Sequence, residues 1–264
     1  MPKSNFRKEI IANIKEQKAT FAVYIVLRTF VIASMVIAII RGDLESAFVC
    51  ALSLVLFLIP AVVERNFGIE LPSLLEVIIL LFIFAAEILG ELNAYYIKVP
   101  FWDTMLHTVN GFLCAAVGFS LIDILNRNEK FKFELSPFFV SIVAFCFSMT
   151  IGVLWEFFEF GADMFFGMDM QKDFVVNHIT TVTLDPAHAN NTVTISNINE
   201  VIINGKELGV GGYLDIGLFD TMKDLIVNFI GAVIFSIIGF FYIKTRGKGK
   251  LAKKLIPTLR KKAE

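Results

Sequence analysis

The chain has 264 residues, of which 56% are hydrophobic, and its mean hydropathy is +0.70. Soluble domains contain about 45–50% apolar residues, so this composition excludes an ordinary soluble domain and predicts an integral membrane protein. The formal net charge of −1 is no guide to partners by itself, because the charges are unevenly distributed along the chain.

Basic residues concentrate at both ends. Five Lys or Arg lie within residues 1–19, and nine lie from Lys244 onward. Segments that stay in the cytoplasm carry an excess of Lys and Arg. We therefore expect residues 1–19 and 244–264 to be cytoplasmic basic segments, with membrane lipids rather than nucleic acid as the partner.

Six apolar runs are long enough to cross a bilayer, whose hydrocarbon core needs about 20 residues per helix. They are residues 20–40, 44–63, 71–90, 104–124, 137–158 and 222–243. An even number of spans agrees with two cytoplasmic ends. The expected fold is an all-α polytopic membrane protein, with helices one to five in residues 20–166 and helix six in residues 218–243. No run has a proline at its centre, so we expect continuous helices.

A polar insert, residues 167–217, separates the fifth and sixth spans and is expected to be extracytoplasmic and rich in β structure. Alternating β-branched residues predict strands in 174–184, 193–198 and 201–208. The last of these contains Asn204-Gly205, a strong hairpin signal.

Two ionisable residues, Arg28 and Glu76, lie inside spans one and three at similar distances from the cytoplasmic ends. A charge at the centre of a membrane helix costs about 2.5–3.5 kcal/mol on insertion scales. We expect a structural ion pair between them, with snorkelling of Arg28 to lipid phosphates as the alternative.

Acidic and imidazole groups recur at the ends of spans four, five and six. Span four opens with an Asp-Thr-Met motif followed by a histidine, span six opens with a similar motif, and Trp-Glu-Phe-Phe-Glu-Phe-Gly-Ala-Asp ends span five. Helical spacings of three, four and seven keep each set on one face. The predicted metal ligands are Asp103, His107, Glu156, Glu159, Asp163, Asp220 and Asp224.

Structural roles compete with this interpretation. Asp103 and Asp220 can serve as helix N-caps, each contributing about 1 kcal/mol. Asn110 and Asn228 are interpreted as polar contacts between packed helices.

The chain resembles the YjdF-like family of predicted bacterial inner-membrane proteins. The resemblance lies in the motifs at the ends of spans four, five and six, in Asp169-Met-Gln-Lys-Asp173 and in the run from Leu214 to Asp224. The resemblance covers most of the chain. It implies six spans in the bacterial plasma membrane, and because the family is without an established activity it implies no mechanism.

Three functions stay open. Imidazole and carboxylate ligands suit a divalent metal ion as cofactor, and an open metal position could serve hydrolysis of an envelope lipid or peptide. The acids could instead exchange ions in a coupled transporter, although continuous helices count against this. Third, the chain could be a membrane scaffold that presents the β insert to an envelope protein. We assign no catalytic residue.

Overall fold

The computed structural model describes residues 18–126, 135–245 and 254–259. Within these ranges, six helical segments are long and apolar enough to cross a membrane, which confirms the predicted fold class. They are Thr20–Arg41, Leu44–Asn66, Ser73–Leu92, Trp102–Asp123, Pro137–Phe166 and Leu218–Lys244.

The helices occur in the predicted order, but some predicted spans consist of more than one helical segment. They are α1 (Lys18–Arg41), α2 (Leu44–Leu56), α3 (Ile59–Phe67), α4 (Ser73–Ile83), a π-helix (Phe84–Leu92), α5 (Tyr95–Lys98), α6 (Trp102–Asn126), α7 (Pro137–Phe166) and α8 (Leu218–Lys244).

The expectation of continuous spans is wrong for the second and third spans. Span two breaks between Leu56 and Ile59, and Pro60 occupies the first turn of α3, where its missing N–H costs nothing. Span three changes from α-helix to π-helix at Phe84. Pro60 therefore starts a new helix inside a span instead of ending the span.

Arg28 finds its partner on its own helix. Its guanidinium donates a hydrogen bond to the hydroxyl of Tyr24, and its Cζ lies 5.3 Å from the centroid of the Tyr24 ring. Tyr24 is one helical turn before Arg28, so this contact lies within α1. The ion pair between Arg28 and Glu76 stays a prediction.

The insert has strands in all three predicted ranges and one further strand, β7, that was not predicted, and they form three short antiparallel pairs. The strands are β2 (Val175–Val176), β3 (His178–Thr181), β4 (Val193–Ser196), β5 (Ile202–Ile203), β6 (Lys206–Glu207) and β7 (Tyr213–Leu214). The pairs are β2 with β7, β3 with β4, and β5 with β6. Asn204 and Gly205 both have positive φ angles, as the predicted two-residue hairpin requires.

A fourth strand pair was not predicted. It joins β1 (Ile69–Glu70) to β8 (Thr258–Leu259), far apart in sequence. Leu255 and Ile256, just before β8, are 5% and 1% exposed and belong to the main apolar core. Leu255 and Ile256 are therefore packed into the core of the membrane unit.

The described residues form two compact units. The first unit contains residues up to Gly152 and from Val227 onward, and the second unit contains Val153–Ile226. In the first unit, Phe119 and Phe235 are fully buried and meet edge to face, with ring centroids 6.0 Å apart. This aromatic pair joins α6 to the later turns of α8.

Helices α6 and α8 approach each other closely at two glycines. A Cβ added at Gly231 would clash with the carbonyl oxygen of Thr108 and lie 2.8 Å from the backbone nitrogen of Phe112. A Cβ at Gly111 would clash with the carbonyl oxygen of Asn228 and lie 2.9 Å from its Cα. Small residues permit such backbone contact, from which membrane helices gain packing energy.

We expect Gly231→Ala to destabilise the protein by about 1–3 kcal/mol, because the added methyl group forces the two backbones apart. The measurement is thermal unfolding in detergent micelles. Gly161→Ala is the matched control, since its added Cβ would lie 3.9 Å from Cδ2 of Phe165, an ordinary contact, and alanine favours the helix by about 1 kcal/mol. Equal stabilities for the two variants would contradict the close contact.

Candidate metal centre

Two of the predicted ligands sit together in the first turns of α6. Nε2 of His107 lies 3.4 Å from Oδ1 of Asp103, one helical turn earlier, and the side chains are 11% and 28% exposed. A carboxylate beside one nitrogen of an imidazole fixes the orientation of the ring and raises its basicity as a ligand. The pair has the form of a ligand histidine with its supporting acid.

The acids of α7 lie on one buried face in the second unit. Glu156 and Glu159 are 5% and 7% exposed, whereas Phe157 and Phe158 between them are 66% and 58% exposed. Nε1 of Trp155 donates a 2.8 Å hydrogen bond to Oε1 of Glu159. The two phenylalanines thus lie on the exposed face of α7, and both carboxylates lie on its buried face.

The first turns of α8 bury two more carboxylates around one lysine. Asp220 and Asp224 are 4% and 1% exposed. Nζ of Lys223 lies 3.4 Å from Asp220 Oδ1 and 3.7 Å from Asp224 Oδ1. It also lies 5.7 Å from the ring centroid of Phe174, where a cation–π contact adds to the attraction. This lysine compensates part of the buried negative charge.

Asp163 and Asp220 hold the loop that follows α7. Asp163 accepts backbone hydrogen bonds from Met170 at 2.6 Å and Gln171 at 2.8 Å. Oδ2 of Asp220 accepts one from Lys172 at 2.9 Å. Both oxygens of Asp163 are therefore engaged in positioning the loop, which makes it the predicted ligand with the most evident structural role.

Sequence reasoning missed Asp215, which organises the start of α8. Its carboxylate accepts backbone hydrogen bonds from Phe174 at 2.7 Å and Phe219 at 2.7 Å, and a longer one from Gly217 at 3.4 Å. Burial opposes ionisation, but the donors from Phe219, Phe174 and Gly217 together hold the pKa of Asp215 below its usual value. The available signal was an Asp four residues before Phe219, next to the helix start.

The second unit is strongly acidic. Residues 153–226 contain eleven Asp or Glu against three Lys. Outside the spans, burial and the carboxylates of Asp169, Asp215 and Asp163 raise the pKa of Asp173, and Lys172 opposes the rise. Such an excess of negative charge attracts cations.

Asn228 lies in the first unit where three helices meet. It is 1% exposed, and its Nδ2 lies 3.6 Å from Sδ of Met149 on α7. Oδ1 has no hydrogen-bond partner among the residues that the structure describes. An unsatisfied buried amide oxygen costs about 1–3 kcal/mol, so helix packing alone explains Asn228 poorly. Asn110 differs, because its Oδ1 lies 3.5 Å from Sγ of Cys114 on the same helix.

Comparison with known proteins places the chain in a family. The family described as Predicted membrane protein (DUF2238) matches residues 22–245, and the chain belongs to it; the resemblance drawn from the motifs is consistent with this. A curated Thermotoga maritima protein, titled "Uncharacterized protein", is 28% identical over 104 residues, which are 39% of this chain and 52% of that relative. The match thus spans about half the length of the relative. No solved structure matches the chain.

We expect Asp215→Asn to speed amide hydrogen exchange at Phe174 and Phe219 about fivefold, equivalent to the ~1 kcal/mol typical of a lost cap. The lowered pKa means that the stabilising charge is fully present above the ordinary carboxyl pKa and is lost as the pH falls through the lowered folded value.

The matched control is Asp173→Asn, which makes the same chemical change at a carboxyl whose pKa is raised. Removing that charge relieves repulsion, so exchange at the two amides should not increase. Equal acceleration in both variants would show that Asp215 is not the organising acceptor.

Proposed function

We propose that this DUF2238 family member is a bacterial plasma-membrane protein that binds a divalent metal ion, with the ligands predicted from the sequence, His107 and Glu156 among them, as candidates. In the first unit Asp103 orients His107, and in the second unit Asp220 and Asp224 lie beside Lys223. The observation that carries the proposal is the three-helix contact at Asn228.

That contact lies within the first unit. Gly111 on α6 abuts the backbone of Asn228 on α8, and Gly152 on α7 abuts its side-chain amide. The three helices are therefore in contact at one level of the membrane. Consecutive spans run in opposite directions, so α6 and α8 share a direction and α7 opposes them.

One turn away from this level, each helix carries a candidate ligand. His107 precedes Gly111 by four residues, Asp224 precedes Asn228 by four, and Glu156 follows Gly152 by four. Four residues advance about 6 Å along a helix and return to nearly the same face. Because α7 runs opposite to the others, all three steps lead toward the same side of the membrane.

The chemistry of these groups suits a metal ion. His107 offers an imidazole, and Glu156 and Glu159 offer carboxylates that are 5% and 7% exposed. Imidazole with carboxylates is the donor set that Zn²⁺, Mn²⁺ and Fe²⁺ share. The charge of the second unit adds support, because a divalent cation would offset part of the eleven-to-three excess of acids over lysines.

The location follows from the charges. With both basic ends in the cytoplasm, the starts of α6 and α8, the end of α7 and the insert lie on the extracytoplasmic side. A site at that level would meet envelope lipids or peptides. A metal with one open position lowers the pKa of its bound water, which would make the protein a hydrolase for such a substrate.

We expect His107→Ala and Glu156→Gln each to lose stoichiometric metal. In the wild type, chelation by EDTA should lower the unfolding temperature, since a ligand that binds only the folded state stabilises it; in both variants EDTA should have no effect. Metal content by mass spectrometry and unfolding curves in detergent measure these outcomes.

Asp169→Asn is the matched control for loss of a charge, because Asp169 is 68% exposed at its side chain; it should retain metal and EDTA sensitivity. The proposal would be overturned if the wild-type protein contained no metal and EDTA did not change its unfolding temperature. The remaining function would then be a scaffold that presents the insert.

Ion-coupled transport is the second candidate, favoured by irregularities in two of the spans. Span two is interrupted at Phe57 and span three becomes a π-helix at Phe84. Transporters often form their sites at interrupted helices, and π-helical segments are frequent at functional sites. Glu87 lies inside the π-helix.

If transport is the function, proteoliposomes should show proton or cation flux that Glu87→Gln and Glu156→Gln abolish. Glu45→Gln, in the first turn of α2, is the control and should retain flux. If the wild-type protein binds metal but shows no flux, metal binding is favoured over transport as the function.

A further inference from the structure

We infer that the last turns of α7 form a binding groove for one acyl chain of a membrane lipid. The residues that form it all lie in the second unit. The inference adds a substrate class to the proposed function, an acyl lipid rather than a peptide, but binding of the chain does not require the metal ion. Only the choice of the outer leaflet as the source of the lipid rests on the proposed orientation.

The first step is the length of α7. Its 30 residues, Pro137–Phe166, extend about 45 Å, whereas the hydrocarbon core of a bilayer is about 30 Å thick. Burying the whole helix would need a tilt of about 48°, beyond the usual range of about 0–40°. About 20 residues from Pro137 cross the core and end at Glu156. The turns after Glu156 therefore stand at the level of the lipid headgroups.

The second step is the surface of those turns, which is apolar on its exposed side. Phe165 and Phe166 are 83% and 80% exposed. Contiguous exposed apolar surface marks a binding site for a membrane, a ligand or a protein. This surface continues that of Leu154 and Trp155, which are exposed within the membrane-crossing part of α7. Lipid is therefore the occupant that already contacts the neighbouring surface.

The third step is the shape and chemistry of the groove. Its volume is about 440 Å³, within the range of about 300–1,000 Å³ that is typical of small-molecule sites. It is lined mainly by Gly161, Ala162 and four phenylalanines, Phe157, Phe158, Phe165 and Phe166. A bound peptide would bring backbone N–H and C=O groups that need hydrogen-bond partners, and these side chains offer none. An acyl chain needs none.

The last step is the spacing of the rings, which favours a narrow ligand over a second helix. Gly161 lies four residues from both Phe157 and Phe165, and Ala162 has phenylalanines at the same spacings. Residues four apart share one face, so each small residue has a ring one turn before it and one turn after it. These rings are attached about 12 Å apart, and a helix is about 10–12 Å wide. The rings would hold a second helix away, whereas an acyl chain fits between them.

The experiment follows the fluorescence of Trp155, whose ring centroid lies 5.3 Å from that of Phe158. Trp102→Phe leaves Trp155 as the only tryptophan in the chain. The purified full-length protein, in detergent, is titrated with a phospholipid that carries brominated acyl chains, because bromine quenches tryptophan on contact. We expect saturable quenching at one lipid per protein, with the lipid count checked by native mass spectrometry.

Two variants in this background alter the groove. Gly161→Leu fills it, and the variant should fold, because a Cβ at Gly161 would lie 3.9 Å from Cδ2 of Phe165. Its lipid affinity should fall at least about tenfold, since each methylene group excluded from an apolar site lowers affinity about fourfold. Phe165→Ala removes one wall and should also weaken binding. Phe160→Ala is its matched control, because Phe160 is exposed on α7 but lies outside the groove; its affinity should not change.

Each other outcome counts against the inference. Quenching that does not saturate, or equal affinities in the three variants, would show only unspecific lipid contact. A wild-type dimer that binds no lipid and that Gly161→Leu converts to a monomer would make a second copy of the chain the occupant.

The metal content of the same samples separates this inference from the proposed function. Saturable lipid binding by a protein that contains no metal would support the groove and overturn the metal centre. A protein that binds metal but no lipid would overturn the groove and leave the metal centre standing.

Discussion

The close approach of α6 and α8 is the constraint on which the rest of the membrane unit depends. Gly231 against Thr108 and Gly111 against Asn228 leave no room for a Cβ. Lipid gives packed helices no hydrophobic advantage over separated ones, so van der Waals contact and polar contacts must hold them. Within the first unit, His107 stands one helical turn before Gly111 on α6.

Burial of acidic groups sets a second constraint on the second unit. Glu156, Glu159, Asp220 and Asp224 are all at least nine-tenths buried, and ionised groups in an apolar environment require compensation. Lys223 supplies one positive charge beside Asp220 and Asp224. The backbone N–H of Lys172, in the loop after α7, donates a further hydrogen bond to Asp220. Phe157 and Phe158 keep the opposite face of α7 compatible with lipid.

Spans and hairpin followed from the sequence because hydropathy and turn chemistry are local properties. The Asn204-Gly205 turn needs only positive φ angles at two residues, which those residue types adopt readily. The interruption at Phe57 and the π-helix at Phe84 depend on neighbouring helices, so an apolar run could not reveal them. The role of Asp215 was hidden for the same reason, since one of its donors, Phe174, is 41 residues away.

The starts of α6 and α8 have similar sequences, but their side chains make different contacts. Asp103 and Asp220 begin the same Asp-Thr-Met motif, yet the first pairs with an imidazole and the second with Lys223. Eight residues after each aspartate stand Gly111 and Asn228, and these two equivalent positions meet. Gly111 has no side chain, so the backbone of α8 comes into contact with α6 there, and the amide of Asn228 is buried. Two helices with the same residue at this position would have equivalent contact surfaces. Because α6 has Gly111 where α8 has Asn228, the buried polar side chain comes from α8 alone.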